Sequence, residues 1–287
     1  MKKTLYAAAA FAAATTAAAA ADLPSRKGPL EVIVPPPAIS WSGFYVGLNA
    51  GYAFNNSDST FHNAATFPPF LPQIGQGATG VVSVKNDGFI GGGQIGYNRQ
   101  WSNFVVGVEA DIQGIANTSS TGSAVTVVPH PAPGAFFTTA LSSSKSLDYF
   151  GTVRGRIGYL LTPTLLVYGT GGLAYGGVNL SGSTFQTLTA FPGNPGIAGS
   201  TLSDTRVGWT AGGGVEWMFL HNWSAKVEYL YYDLGTVTTP GSFFTYPNAA
   251  SVVGAVNHSA RFDGHIVRAG VNYHFCFGGA EPVLAKY

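Results

Sequence analysis

The chain has 287 residues, with 14 lysines and arginines against 13 aspartates and glutamates, so its formal net charge is +1. Charged residues make up only 9% of the chain, and 39 residues are glycine, about twice the usual share of ~7%. The balanced charge gives no reason to expect nucleic acid as a partner. The single cysteine excludes a disulfide or a thiolate metal cluster within one chain.

The N-terminal residues 1–21 combine two early lysines with an uncharged alanine-rich stretch that contains several Ala-x-Ala sites. This pattern predicts a secretory signal peptide. An alanine-rich helix of the mature protein fits less well, because the stretch ends in DLPSRKGP. Residues 22–40 include three consecutive prolines and are predicted to form an extended linker. No later segment offers the roughly 18 consecutive apolar residues of a transmembrane helix.

Strand-like alternation of apolar and polar residues begins after residue 40 and recurs to residue 275. It predicts eight strands, at about 43–56, 87–100, 103–114, 147–161, 164–178, 204–219, 223–235 and 260–275. Short and long connections alternate, and the long ones are residues 57–86, 115–146, 179–203 and 236–259. Long loops that alternate with short turns are typical of an outer-membrane barrel, with the short turns on the periplasmic side.

Two arginines, Arg154 and Arg156, interrupt the apolar stretch TVRGRIGYLLTPTLLVYGT. In a strand both point to one face, while Val153, Gly155 and Ile157 point to the other. The same division into an uncharged and a charged face recurs in the other charged strands. A soluble barrel has an apolar interior, so a charged minor face is predicted to line the inside of a membrane barrel.

The predicted interior charges are four acids and four bases, which leave no net charge: Glu109, Asp111, Glu216, Glu228, Arg154, Arg156, Lys226 and Arg268. Buried charges are tolerated when they are paired, and an eight-stranded barrel is just wide enough for side chains to fill. The set therefore predicts a salt-bridged plug. A narrow solute path lined by the same residues is the alternative.

Aromatic residues recur on the predicted outward faces at intervals of eight to ten residues, in the pairs Phe44 and Phe54, Phe89 and Tyr97, Tyr149 and Tyr159, and Trp209 and Trp217. At ~3.3 Å per residue and ~45° of strand tilt, these intervals span roughly 19 to 23 Å. This distance approaches the ~25 Å apolar band between the two aromatic belts of a membrane barrel.

Four strand segments carry a family resemblance: WSGFYVGLNAGYAF at 41–54, GTVRGRIGYLLTPTLLVYGTGGLAYG at 151–176, GWTAGGGVEWMFLHNWSAKVEYLYYDLG at 208–235 and VRAGVNYHF at 267–275. They resemble the small outer-membrane immunogenic proteins of alpha-proteobacteria, within the porin-like eight-stranded β-barrels. The resemblance implies a fold and a location, and a role as an envelope protein and surface antigen, with no catalytic residues to carry over. Such barrels commonly end at an aromatic residue, whereas here Phe275 is followed by CFGGAEPVLAKY.

Catalytic and cofactor motifs are weak. The stretch GGGQIG at 91–96 fits G-x-G-x-x-G, but a turn and a strand follow it instead of a helix. His258 and Ser259 are neighbours in a strand, so they face opposite sides and cannot pair as base and nucleophile. The six histidines show no spacing typical of metal ligands. We therefore expect neither enzymatic activity nor a cofactor or metal.

The sequence thus predicts an eight-stranded antiparallel transmembrane β-barrel over residues 41–275, in the outer membrane of a Gram-negative bacterium. Its expected function is that of a structural and surface-interaction protein with a closed lumen, and a small-solute porin is the alternative. The expected partners are outer-membrane lipid and lipopolysaccharide, the barrel assembly machinery, and an extracellular ligand held by the four long connections. The linker at 22–40 and the tail at 276–287 are predicted to be periplasmic.

Overall fold

The computed structural model describes residues 39–116, 120–247 and 251–275. The predicted signal peptide, all but the last two residues of the predicted linker, and the predicted tail lie outside the described residues. No helix in the described part of the chain is long and apolar enough to cross a membrane.

The described residues form strands joined by short connections and one short helix. In chain order they are β1 (Gly43–Asn55), β2 (Ser59–Thr66), α1 (Pro72–Ala78), β3 (Gly80–Ser83), β4 (Gly88–Trp101), β5 (Phe104–Ala116), β6 (Ser120–Pro129), β7 (Phe136–Thr162), β8 (Leu165–Leu188), β9 (Phe191–Leu220), β10 (Trp223–Thr238), β11 (Ser242–Tyr246) and β12 (Ser251–Phe275).

Eight of these strands form a closed antiparallel ring in the order β1, β4, β5, β7, β8, β9, β10 and β12. The ring closes because β1 pairs with β12 along nearly its whole length, from Phe44 opposite Phe275 to Asn55 opposite Gly264. The predicted eight-stranded barrel is confirmed. Closure leaves no strand edge in the ring, which is the condition for a sheet to cross a bilayer.

The predicted long loops are largely strand in the structure. Residues 179–203 form a hairpin in which β8 and β9 pair up to Leu188 opposite Phe191, around a turn at 189–190. Residues 57–86 hold β2, α1 and β3, residues 115–146 hold β6 and the start of β7, and residues 236–259 hold β11 and the start of β12. The hairpin at 179–203 carries serine, threonine and glycine on both faces, so its strands pair through the backbone without the apolar alternation that marks a membrane strand.

The two ends of the barrel therefore differ. The short-turn end is the one with the turns at 102–103, 163–164 and 221–222, and the long-strand end is the opposite one, where the four long segments lie. At the short-turn end, the side chain of Trp41 is fully buried and its indole Nε1 donates to the carbonyl oxygen of Pro163 at 3.0 Å. Leu166 and Met218 pack against it in one apolar cluster. Trp41 lies just before the first strand of the barrel, and its side chain fills the barrel opening at this end.

The outer wall carries large apolar side chains that face away from the protein. Val153, Ile157 and Leu161 on β7 are 52%, 62% and 61% exposed, whereas Arg154 and Arg156 between them are buried. The aromatic residues Phe44, Phe54, Trp209 and Trp217 are also outward and exposed. An uncharged, apolar wall of this kind is suited to lipid rather than to water.

The barrel interior is filled by side chains in layers. Beyond the charged residues towards the long-strand end lies an apolar layer, which includes Phe150, Leu230, Tyr232, Phe262 and Ile266. A second apolar cluster closes on α1 at the long-strand end, where Ile74 and Ala78 pack with Phe137, Phe244 and Val256. The sequence pattern predicts the charged layer but not the apolar layers.

Candidate functional site

The candidate site is the charged layer inside the barrel, and the structure brings all eight predicted residues together there. They lie on β5, β7, β9, β10 and β12, and each is at most 4% exposed. The alternation of side chains along a strand explains the placement, since Glu109 and Asp111, Arg154 and Arg156, and Lys226 and Glu228 are each two residues apart.

Arg154 is the most highly connected cation of the layer. Its Nη2 donates to Glu109 Oε1 at 2.5 Å and to Asp111 Oδ2 at 3.0 Å, and its Nη1 donates to Glu228 Oε1 at 2.9 Å. Its Nε donates to the hydroxyl of Thr152 at 2.9 Å. One guanidinium group thus joins carboxylates from two strands, β5 and β10, that are not neighbours in the ring.

Arg268 and Lys226 hold the same carboxylates from the other side. Arg268 Nη2 lies 2.6 Å from Glu228 Oε2 and 2.9 Å from Asp111 Oδ2. The ammonium group of Lys226 lies 2.8 Å from both carboxylate oxygens of Glu109. Each of these three carboxylates therefore has at least two cationic partners.

Arg156 pairs with Glu216, at 2.6 Å between Nη2 and Oε2, and its Nη1 also lies 3.6 Å from Glu109 Oε2. Its guanidinium group also lies over the ring of Tyr168, 4.0 Å from the ring centroid. Tyr45 links this pair to the rest, because its hydroxyl accepts from Arg156 Nη1 at 3.1 Å and donates to Glu109 Oε2 at 2.7 Å. The ion pairs thus form one continuous network.

Neutral polar side chains complete the network. The carboxylate of Glu216 accepts hydrogen bonds from the hydroxyl of Ser224 at 2.6 Å and from the amide of Asn272 at 2.7 Å. Tyr45, Tyr168 and Ser224 are not among the site residues predicted from the sequence. Their inward positions follow from the same alternation that places the charged residues, but a search for charge alone does not select them.

A second polar layer lies towards the long-strand end, beyond the apolar layer. The buried ammonium group of Lys145 donates to Asn55 Oδ1 at 3.3 Å and to the carbonyl oxygen of Ser57 at 3.0 Å. Burial lowers the pKa of Lys145 to about 8. The sequence pattern does not predict this interior cation, because residue 145 lies in a predicted loop.

Two buried histidines lie in the same part of the barrel. His62 on β2 is directly opposite His258 on β12, and their ring centroids are 4.3 Å apart. His62 Nε2 is 2.7 Å from the hydroxyl of Ser143. Burial, and to a smaller extent His258, lowers the pKa of His62 to about 4, so both effects favour the neutral ring.

The weaker sequence motifs have structural roles. Residues 91–96 lie within β4, and a side chain at Gly96 would collide with the ring of Tyr45, so this glycine makes room for a network residue. His258 is fully buried, whereas Ser259, its neighbour, lies on the opposite face of β12. Among the described residues, no group of three or more histidine, cysteine, aspartate or glutamate side chains is placed to hold a metal ion.

A closed ring of eight antiparallel strands, an apolar wall with aromatic residues and a buried, paired charge network define a transmembrane β-barrel. The chain belongs to the outer membrane protein β-barrel domain family, whose model matches residues 6–275. It is a protein of the Gram-negative outer membrane.

Two curated relatives are similar over most of the chain. The 31 kDa outer-membrane immunogenic protein of Brucella melitensis biotype 1 is 37% identical over 246 residues, covering 84% of this chain and 86% of the relative. The 22 kDa outer membrane protein of Rhizobium leguminosarum bv. viciae is 31% identical, covering 69% and 66%. Among solved structures, the outer membrane protein OprG of Pseudomonas aeruginosa matches 82% of this chain and 96% of its own, with 15% identity and a TM-score of 0.40.

Proposed function

We propose that the protein is a structural and surface-interaction barrel of the outer membrane whose lumen does not conduct solutes. The observation that carries the proposal is the charge network. Four acidic and four basic side chains, each at most 4% exposed, are mutually paired across the interior and leave no net charge. Neither enzymatic activity nor a cofactor forms part of the proposal.

The filling of the interior beyond the network supports the same function. A solute on its way through the barrel would meet Trp41 at the short-turn end, then the charged layer, then the apolar layer around Phe150. An ion would lose its hydration in the apolar layer without gaining polar partners there, which costs several kcal/mol. A continuous path for a solute therefore requires that Trp41, the charged layer and the apolar layer are all displaced at once.

We further propose that the long-strand end faces the exterior and the short-turn end the periplasm. Long connections outside and short turns inside are the usual arrangement in barrels of this type. This orientation exposes the residues of the four long connections on the cell surface. Several relatives carry the word immunogenic in their names, which agrees with a surface position.

The closed lumen is tested by reconstituting the purified, refolded protein in planar bilayers and measuring conductance, with liposome swelling by small sugars as a second readout. We expect no steady conductance and no swelling above protein-free controls. A well-resolved conductance in the unmodified protein would contradict the closed lumen and favour the porin alternative.

A further inference from the structure

The long-strand end carries a concave pocket of about 310 Å³. Its floor is buried and formed by Ile74, Phe137 and Tyr246, whereas Phe191 at its rim is 68% exposed. Leu188 forms part of the wall. These side chains come from all four segments that join the membrane strands on this end, so the pocket exists only when the four are folded together.

The floor of the pocket is fixed by hydrogen bonds. Gln186 donates from Nε2 to the carbonyl oxygen of Ile74 at 3.0 Å and to the hydroxyl of Thr139 at 2.7 Å, and its Oε1 accepts from the hydroxyl of Tyr246 at 2.6 Å. The hydroxyl of Thr126 on β6 donates to the carbonyl oxygen of Gly77, which lies in α1 together with Ile74. These bonds attach α1 to the barrel wall beneath the pocket. The pocket is therefore blind and largely preformed, as small-molecule sites in barrel mouths usually are.

The apolar lining of the pocket also includes two polar side chains, His130 and Asn194. The backbone N–H of Ala132 donates to His130 Nδ1 at 2.9 Å, so we assign the proton of the neutral ring to Nε2. The His130 ring packs against Phe137, with 5.4 Å between centroids. The structure shows no hydrogen-bond partner for Nε2 among the described residues. A pocket that is mostly apolar and has few polar groups favours a mainly apolar ligand, and the His130 donor favours one that carries a hydrogen-bond acceptor.

We propose that this pocket binds a small molecule with an aromatic or branched hydrocarbon body and one hydrogen-bond acceptor, which receives the His130 Nε2 proton. A volume of about 310 Å³ is at the lower end of the range for ligand pockets, so it suits a small molecule and cannot enclose a whole lipid or a folded protein segment. The proposal deepens the surface-interaction role proposed above by giving the ligand a chemical class. It does not depend on a closed lumen.

The test uses two probes of nearly equal size, 4′-fluoroacetophenone, which carries a carbonyl acceptor, and 4-fluoroethylbenzene, which does not. Binding to the protein in lipid nanodiscs is followed by fluorine NMR, with protein-free nanodiscs as the reference for partition into lipid. We expect the ketone to bind about fivefold more tightly, the effect of one hydrogen bond of ordinary net strength. His130→Phe keeps an aromatic ring but removes the donor, so it should abolish this difference.

Leu188→Trp is the blocking control, because the larger side chain fills the pocket. It should remove the signal of both probes that exceeds lipid partition. If it fails to fold, Phe191→Ala replaces it, since this rim residue is largely exposed; it should weaken both probes by a similar factor. Equal signals for the unmodified protein and the blocked variant, or equal affinity for the two probes, would overturn the proposal. Neither outcome bears on the conductance measurement, so failure of the pocket and failure of the closed lumen are distinguishable.

Discussion

The charge balance of the interior network is tested by removing Arg154 and Glu228 singly and together. Arg154→Gln removes three ion pairs, with Glu109, Asp111 and Glu228. All three carboxylates keep another cation within 3 Å, so none is stranded, but the buried network is left with four acids and three bases. Glu228→Gln produces the opposite surplus, and the double variant restores three of each.

The expected energies follow from this count. Removing one member of a buried ion pair typically costs ~3 to 5 kcal/mol, mainly because an uncompensated charge stays in the interior. We expect the loss of folding free energy in each single variant to fall in this range. For Arg154→Gln it should lie near the lower end, because the three carboxylates that pair with Arg154 also pair with Lys226 or Arg268. The double variant should cost less than the sum of the two by about 1 to 3 kcal/mol, since it restores neutrality.

The free energy of folding can be measured by a guanidinium titration in phosphatidylcholine vesicles, followed through the fluorescence of the five tryptophans. Arg206→Gln is the matched control. Arg206 pairs with Asp204 at 3.1 Å, but the two side chains are 37% and 46% exposed, so its loss should cost no more than about 1 kcal/mol.

If the losses of folding free energy for Arg154→Gln and Glu228→Gln simply added in the double variant, the net charge of the network would have no effect on stability. A cost for Arg206→Gln equal to that of Arg154→Gln would show that burial does not control the energies. Either result refutes the reasoning on which the closed lumen depends.

Three further predictions concern the wall, the orientation and the pH response. Val153→Arg, near the middle of the outward face of β7, should cost ~2 to 4 kcal/mol of folding free energy in the same titration. Leu161→Arg, which lies beyond the outward aromatic Tyr159, should cost only ~0 to 1 kcal/mol. Equal costs would contradict the depths in the bilayer assigned to residues 153 and 161. A tag inserted at Gly134, in an open turn, should be labelled on intact cells and a C-terminal tag should not; the reverse pattern would invert the orientation. Burial lowers the pKa of His62 in the folded chain to about 4, whereas the unfolded chain binds this proton below pH ~6.5. The free energy of unfolding should therefore fall as the pH decreases from ~6.5 to about 4. His62→Asn should reduce that dependence, and an unchanged slope would exclude His62 as its source.

The membrane strands could be predicted from the sequence because one face of each meets lipid. In β7, the alternation of Val153, Arg154, Gly155 and Arg156 distinguishes the two faces without any structure. The same contrast placed all eight network residues. Which acid pairs with which base was not predictable, because pairing depends on the stagger of strands around the ring, as the link between Arg154 on β7 and Glu228 on β10 shows.

The strands beyond the membrane could not be predicted for the same physical reason. In the hairpin of β8 and β9, Ser181 pairs with Thr201 on one face and Gly182 with Ser200 on the other, so small and polar residues interrupt the pattern of both faces and neither is consistently apolar. The inner apolar layer was missed because β10 is apolar on both faces around Leu230 and Tyr232, and alternation alone does not show that the inward side has changed from charged to apolar.

The extension of the strands has a direct consequence for the proposed surface role. A structureless loop loses conformational entropy when it binds a ligand, and this cost reduces affinity. Here β7, β8 and β9 continue as paired strands to within a few residues of the pocket, and Gln186 on β8 fastens α1 against them. The residues at the tip are therefore positioned before any ligand arrives. If the strands frayed at this end, Tyr246 and Phe137 would separate and the pocket would be lost, so amide hydrogens of β8 near Gln186 should exchange slowly in the unliganded protein. Rapid exchange there, with slow exchange in the membrane part of β8, would contradict a preformed site.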